Sequence, residues 1–106
     1  MSETVHAIMK ELRRGLEALY GPRLVRMVLY GSQARGEAEL GSDIDVLIVL
    51  QGPVSPGEEI ARTSDIIASL SLKHSVVLSR AFVSSDRFER EQSPLLRNIR
   101  REGVAV

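Results

Sequence analysis

Gly31-Ser32-Gln33-Ala34-Arg35-Gly36-Glu37-Ala38-Glu39-Leu40-Gly41-Ser42-Asp43-Ile44-Asp45 joins two apolar runs, Leu24 to Tyr30 before it and Val46 to Leu50 after it. A glycine directly after a strand suits a turn with φ > 0 or a close ligand approach. One helical turn over Ser32–Arg35, with Ser32 at or near its N-cap, presents free backbone N–H groups to phosphate oxygens. The Ser32 hydroxyl adds a donor, and Arg35 can add a charge-assisted bond to a phosphate. Asp43 and Asp45 stand at i and i+2, so on a strand both carboxylates face one way and can chelate a hard divalent cation. Asp45 is carried into an otherwise apolar strand, where an unpartnered carboxylate is costly and a metal ion compensates two at once.

Working outward, Leu24 to Tyr30 and Ile44 to Leu50 read as strands. The unbroken apolar character of the second predicts burial on both faces. Upstream, Val5, Ile8, Met9, Leu12, Leu16, Leu19 and Tyr20 recur at helical spacing, which predicts an amphipathic helix over about 3–20, ended by Gly21-Pro22. Downstream, Ser55-Pro56-Gly57-Glu58 reads as a capping box that opens a helix running to about Leu72, with Ile60, Ile66, Ile67 and Leu70 inward. A third strand is predicted at about 75–83 and a short helix from Asp86 to Gln92. A last helix starts at Ser93-Pro94, buries Leu95, Leu96 and Ile99, and stops at Gly103. The expected fold is α+β (mixed α/β), one domain over 1–106, with a small three-stranded mixed sheet packed against helices. The short link between the first two strands disfavours a parallel crossover, and their direction is left open.

Composition narrows the function classes. The chain has 106 residues with 14 basic and 14 acidic side chains, so no global field points to nucleic acid or to disorder. It has no cysteine, which excludes disulfides, thiolate metal sites and cysteine nucleophiles. No leader pattern or membrane-spanning run is present, and the cytoplasm is the expected location. Two tyrosines and two phenylalanines, dispersed along the chain, offer no platform for stacking bases.

Gly31-Ser32, ten intervening residues and Asp43-Ile44-Asp45 resemble the signature of the minimal nucleotidyltransferases, a branch of the DNA polymerase β superfamily. The likeness extends through Arg35-Gly36 and Ser42, and the closing segment from Ser93 to Gly103 also looks like small members of the family. The resemblance implies the nucleotidyltransferase fold, with Mg²⁺ on Asp43 and Asp45 as metal-binding and catalytic residues. It implies ATP or another nucleoside triphosphate as donor, with Gly31 and Ser32 on the β and γ phosphates and Arg35 and Ser42 beside them. The reaction implied is in-line attack of an acceptor hydroxyl on the α-phosphate with release of pyrophosphate. Members of this size resemble antitoxins that AMPylate a tyrosine of a HEPN-type ribonuclease toxin, so a protein partner is expected. Two alternatives stand beside this: a nucleotide-binding module that neutralises its partner by contact alone, and a transferase for a small molecule such as an aminoglycoside. In the last case the chain could dimerise to form the acceptor pocket.

One departure bears on catalysis. Fully equipped relatives carry a third carboxylate on a later strand, and the run from Ser75 to Val83 contains no acid. Ser79 stands about where that group is expected. Asp86 reads as a helix cap and Asp65 as solvent-facing. Arg80 shares a face with Leu78 and Phe82, and either reaches the phosphate site or snorkels at the sheet edge. Arg97, Arg100 and Arg101 read as a solvated face near a helix C-terminus. His6 and His74 have no metal-ligand spacing.

Overall fold

The computed structural model describes residues 2–36 and 43–106. Helix α1 (Glu3–Tyr20) begins where the Ser2 hydroxyl accepts the Val5 N–H at 3.1 Å. It buries Val5, Ile8, Met9, Leu12, Leu16 and Tyr20, whereas Leu19 stays partly exposed. A 3-10 turn at Gly21–Arg23 leads into β1 (Leu24–Tyr30), the single turn α2 (Ser32–Arg35) and β2 (Ile44–Leu50). After these come α3 (Pro56–Arg62), α4 (Ser64–His74), β3 (Leu78–Ser84), α5 (Ser85–Arg90), α6 (Pro94–Glu102) and the two-residue β4 (Val104–Ala105).

Among the described residues the sheet has four strands in the order β3-β2-β1-β4, one more than the three expected. β1 runs antiparallel to β2 and to β4, and β2 runs parallel to β3. Alternation along central β2 divides the core. Ile44, Val46, Ile48 and Leu50 pack under α1 and α4, while Leu47 and Val49 pack with Val28, Val83, Phe88, Leu96 and Ile99. Both faces of β2 are therefore covered, and Asp45 falls on the α5/α6 face. Each large side chain fully buried in these layers contributes about 1.5–3 kcal/mol of apolar burial.

β4 is too short to carry a sequence signal, and it exists because α6 ends against β1. Gly103 keeps its N–H on the Ile99 carbonyl at 2.8 Å but has an extended backbone, φ −68°. Its glycine is required by space rather than by a left-handed turn. A Cβ there would be jammed against Val28 Cγ1 and would lie 2.5 Å from the Ile99 oxygen. G103A is expected to cost about 1–3 kcal/mol, measured as a lowered urea midpoint. The Val106 N–H, held by the Met27 carbonyl at 3.0 Å, should lose its exchange protection first.

The helix predicted over 56–72 is two helices that break at Thr63 and end at His74. Arg80 explains the break. Its Nη2 donates to the Ile60 carbonyl at 2.7 Å, an acceptor a continuous helix would have used, and its Nε donates to Thr63 Oγ1 at 3.0 Å. Arg80 is thus turned to the face opposite Asp45, and neither the phosphate site nor a simple snorkel describes it. Ile60 is consequently 44% exposed rather than inward, and Leu95 is likewise exposed at 56%. At the start of α3, Ser55 makes no side-chain cap bond, so the capping box does not close. The N-cap of α5 is Ser84, which accepts the Arg87 N–H at 3.2 Å, and Asp86 pairs with Arg90 at 3.1 Å.

Glu11 joins α1 to α4. Its Oε2 meets His74 Nε2 at 2.6 Å and its Oε1 meets Lys73 Nζ at 2.5 Å. The Lys73 bond and then the His74 bond hold its carboxyl below the ordinary glutamate value. A depressed folded pKa gives stability that is present above the unfolded value and lost as pH falls through the folded one. The melting temperature gap between wild type and E11Q should therefore be full above about pH 4.3 and close below it, a trend that thermal melts across pH would check.

Candidate active site

The connection after β1 turns at Gly31, with φ 75° and ψ −157°, a conformation open in practice only to glycine. The Arg35 N–H closes one helical turn on the Gly31 carbonyl at 3.2 Å, and Gly36 ends it in the left-handed region. The backbone at Gly31 also passes so close to β2 that a Cβ would stand 2.7 Å from Asp45 Oδ2. Turn and acid pair are therefore one site, with the glycine turn seated against the carboxylate.

Asp45 lies opposite Tyr30 in the β1–β2 ladder and beside Ser79 in the β2–β3 ladder. It is half-buried, and Asp43, just before the strand, is exposed. Burial raises the Asp45 carboxyl above the usual aspartate value, and the Asp43 charge adds to the shift. Burial raises the Tyr30 hydroxyl as well, with a second push from Asp45. Ser32 is half-buried on α2, and Arg35 Nη1 lies 3.8 Å from Glu102 Oε2. Ser42 lies outside the described residues.

A cleft of about 170 Å³ opens over the turn, between Tyr30, Gly31 and Arg35 on one side and Asn98 and Glu102 of α6 on the other. Tyr30, Asn98 and Glu102 do not stand out in the sequence as site residues. The only local signal for the last two is a polar i, i+4 pair on a helix, and many solvated faces have one. A larger cavity, about 340 Å³, lies elsewhere, between residues 51–54 and 84–87 beyond the C-terminal ends of β2 and β3, and Asp86 is the one acid among its described lining residues.

Among the described residues no cluster of three His, Cys, Asp or Glu side chains could hold a metal ion. The two carboxylates do fit one divalent cation. They are hard oxygen donors, Asp45 in β2 and Asp43 just before it, the Asp43 charge bears on the Asp45 carboxyl, and Gly31 places no side chain against Asp45 Oδ2. Such a cation supplies charge compensation at phosphate oxygens. No helix among the described residues is long and apolar enough to cross a membrane.

A glycine turn thus lies against Asp45 near the start of a central strand, with Asp43 just before that strand. The chain belongs to the nucleotidyltransferase domain family, whose model matches residues 9–102. A protein of Methanocaldococcus jannaschii that carries the provisional name protein adenylyltransferase is 34% identical over 95 residues, 89% of each chain. Among solved structures, one provisionally described as a minimal nucleotidyltransferase is 28% identical, with a TM-score of 0.62 over 98% of this chain and 94% of its own. A chain from a toxin–antitoxin complex with AMP-PNP shares the fold at 17% identity, with a TM-score of 0.63 over 98% of this chain and 72% of that one.

Proposed function

We propose that this protein transfers AMP from ATP, with Mg²⁺, to a hydroxyl on a partner protein, and so acts in the cytoplasm as the antitoxin to a HEPN-type toxin. The observation that supports the reading is the seating of the Gly31 turn against Asp45, where a Cβ would stand 2.7 Å from Asp45 Oδ2. The provisional name of the Methanocaldococcus relative and the toxin–antitoxin fold neighbour support a protein acceptor. In this scheme Asp43 and Asp45 hold the cation, and Gly31 and Ser32 position the β and γ phosphates. Arg35 moves from Glu102 to a phosphate oxygen, and Ser42 completes the phosphate contacts. The transfer is tested with α-labelled ATP, Mg²⁺ and the product of the adjacent gene. Label on the partner is expected, and none after prolonged incubation counts against the transferase reading.

Ser79 beside Asp45 favours a second reading, in which contact with the partner neutralises it without chemistry. Survival of neutralisation in the D43N/D45N double variant would establish contact as sufficient.

A further inference from the structure

The two tyrosines of the chain hold their hydroxyls in different surroundings. The Tyr20 hydroxyl is buried and donates to Glu59 Oε1 at 2.8 Å. Tyr30 is half-buried at the end of β1, directly before Gly31. It packs against the core cluster under α5 and α6, and it lines the cleft over Gly31 and Arg35. Residues opposed across an antiparallel ladder share a face, with Cβ atoms about 4.5–5.5 Å apart. Tyr30 therefore stands beside Asp45, on the same face of the sheet. The Asp45 charge bears on the Tyr30 hydroxyl. One residue is thus joined to the glycine turn through the chain and to the carboxylate through the ladder. A nucleotide that reaches from a cation on Asp45 to the Gly31 turn passes along Tyr30. A phenol is protonated at neutral pH, so toward a phosphate it acts as a donor.

We propose that Tyr30 is a catalytic residue, an inference that rests on the transferase reading: its hydroxyl donates a hydrogen bond to the β-phosphate and holds the pyrophosphate as it leaves. In the transfer, the acceptor oxygen bonds to the α-phosphorus and the bond from that phosphorus to the α–β bridging oxygen breaks. The electron pair stays with pyrophosphate, and the acceptor's proton is lost to solvent. The phenol keeps its own proton throughout. Negative charge grows on the β-phosphate oxygens as the bond breaks, so the hydrogen bond is stronger in the transition state than in the ground state and acts on kcat. Phenylalanine at this position keeps the ring and removes only that bond.

Tyrosine labelled with ¹³C at the ring carbon that bears the hydroxyl gives the wild-type chain two NMR signals, one per tyrosine. Mg²⁺ with α,β-methylene ATP, which cannot transfer AMP, should shift the Tyr30 signal and leave that of Tyr20, held by Glu59, in place. Y30F should bind this analogue within about 3-fold of wild type and transfer AMP to the product of the adjacent gene about 10–100-fold more slowly, the worth of a hydrogen bond to a charged acceptor. The leaving group separates this contact from packing alone. Y30F should lose more than it does with ATP when the donor is β,γ-methylene ATP, whose departing group is more basic, and less with β,γ-difluoromethylene ATP. Wild-type rates in Y30F, an equal loss with all three donors, or a Tyr30 signal unmoved by bound analogue would each overturn the inference and leave the transferase reading standing. A wild-type chain that binds no nucleotide would overturn both. The NMR measurement uses wild type and decides even where Y30F fails to fold.

Discussion

Asp45→Asn is expected to reduce nucleotidyl transfer by about 10³-fold and, at the same time, to raise the melting temperature of the metal-free protein. The opposed signs follow from the environment of this carboxylate. It is half-buried at the start of a strand whose other residues are all buried, and burial together with the Asp43 charge raises its pKa. An acid with a raised folded pKa gives stability that is present below its unfolded value and lost as pH rises through the folded one. At neutral pH the ionised group is therefore a net cost to the fold, and asparagine removes that cost. Differential scanning calorimetry in EDTA should show D45N melting above wild type at pH 7, with the difference gone below the carboxylate range. Mg²⁺ with a non-hydrolysable ATP analogue should stabilise wild type by mass action, by about 2.7 kcal/mol at a hundred times the dissociation constant, and leave D45N unmoved. A D45N protein that melts below wild type in EDTA would mean that Asp45 is a structural residue.

Gly31→Ala should damage fold and site together. The backbone at φ 75°, ψ −157° costs an alanine about 1–3 kcal/mol, and the new methyl would stand 2.7 Å from Asp45 Oδ2. Either the turn shifts away from β2 or the carboxylate rotates out of line with Asp43, and both remove the geometry that joins phosphates to cation. Nucleotide affinity should fall at least 10-fold and transfer about 10²-fold or more. Gly36→Ala is the internal control. It also has a positive φ, 72°, but none of the described residues lies within 4 Å of its would-be Cβ, so the left-handed backbone is what is penalised, by about 1 kcal/mol. Equal nucleotide affinities in the two variants would rule out a specific role for the Gly31–Asp45 contact.

Much of this molecule was legible from residue order because short-range chemistry decides it. The helical stripe from Val5 to Tyr20 can bury itself only as α1, and Ile44 to Leu50 can be satisfied only between two packed layers. The glycine after β1 and the i, i+2 aspartates pointed to a site before any packing was known. The split at Thr63 was not legible, since no glycine or proline marks it and its cause, Arg80, arrives from a later strand. Asn98 and Glu102 were invisible as site residues for the same reason. Their place over Gly31 depends on where α6 docks.

The sequence by itself therefore determined most of the elements, the doubly buried strand and the residues at its mouth, because turn preference, periodicity and side-chain alternation act over a few residues. Only the tertiary structure decided what stands next to Asp45. The β3-β2-β1-β4 order puts Tyr30 on one side and Ser79 on the other, and turns Arg80 away to the opposite face. Strand neighbours are chosen by packing and backbone pairing between distant segments, and no local propensity encodes that choice.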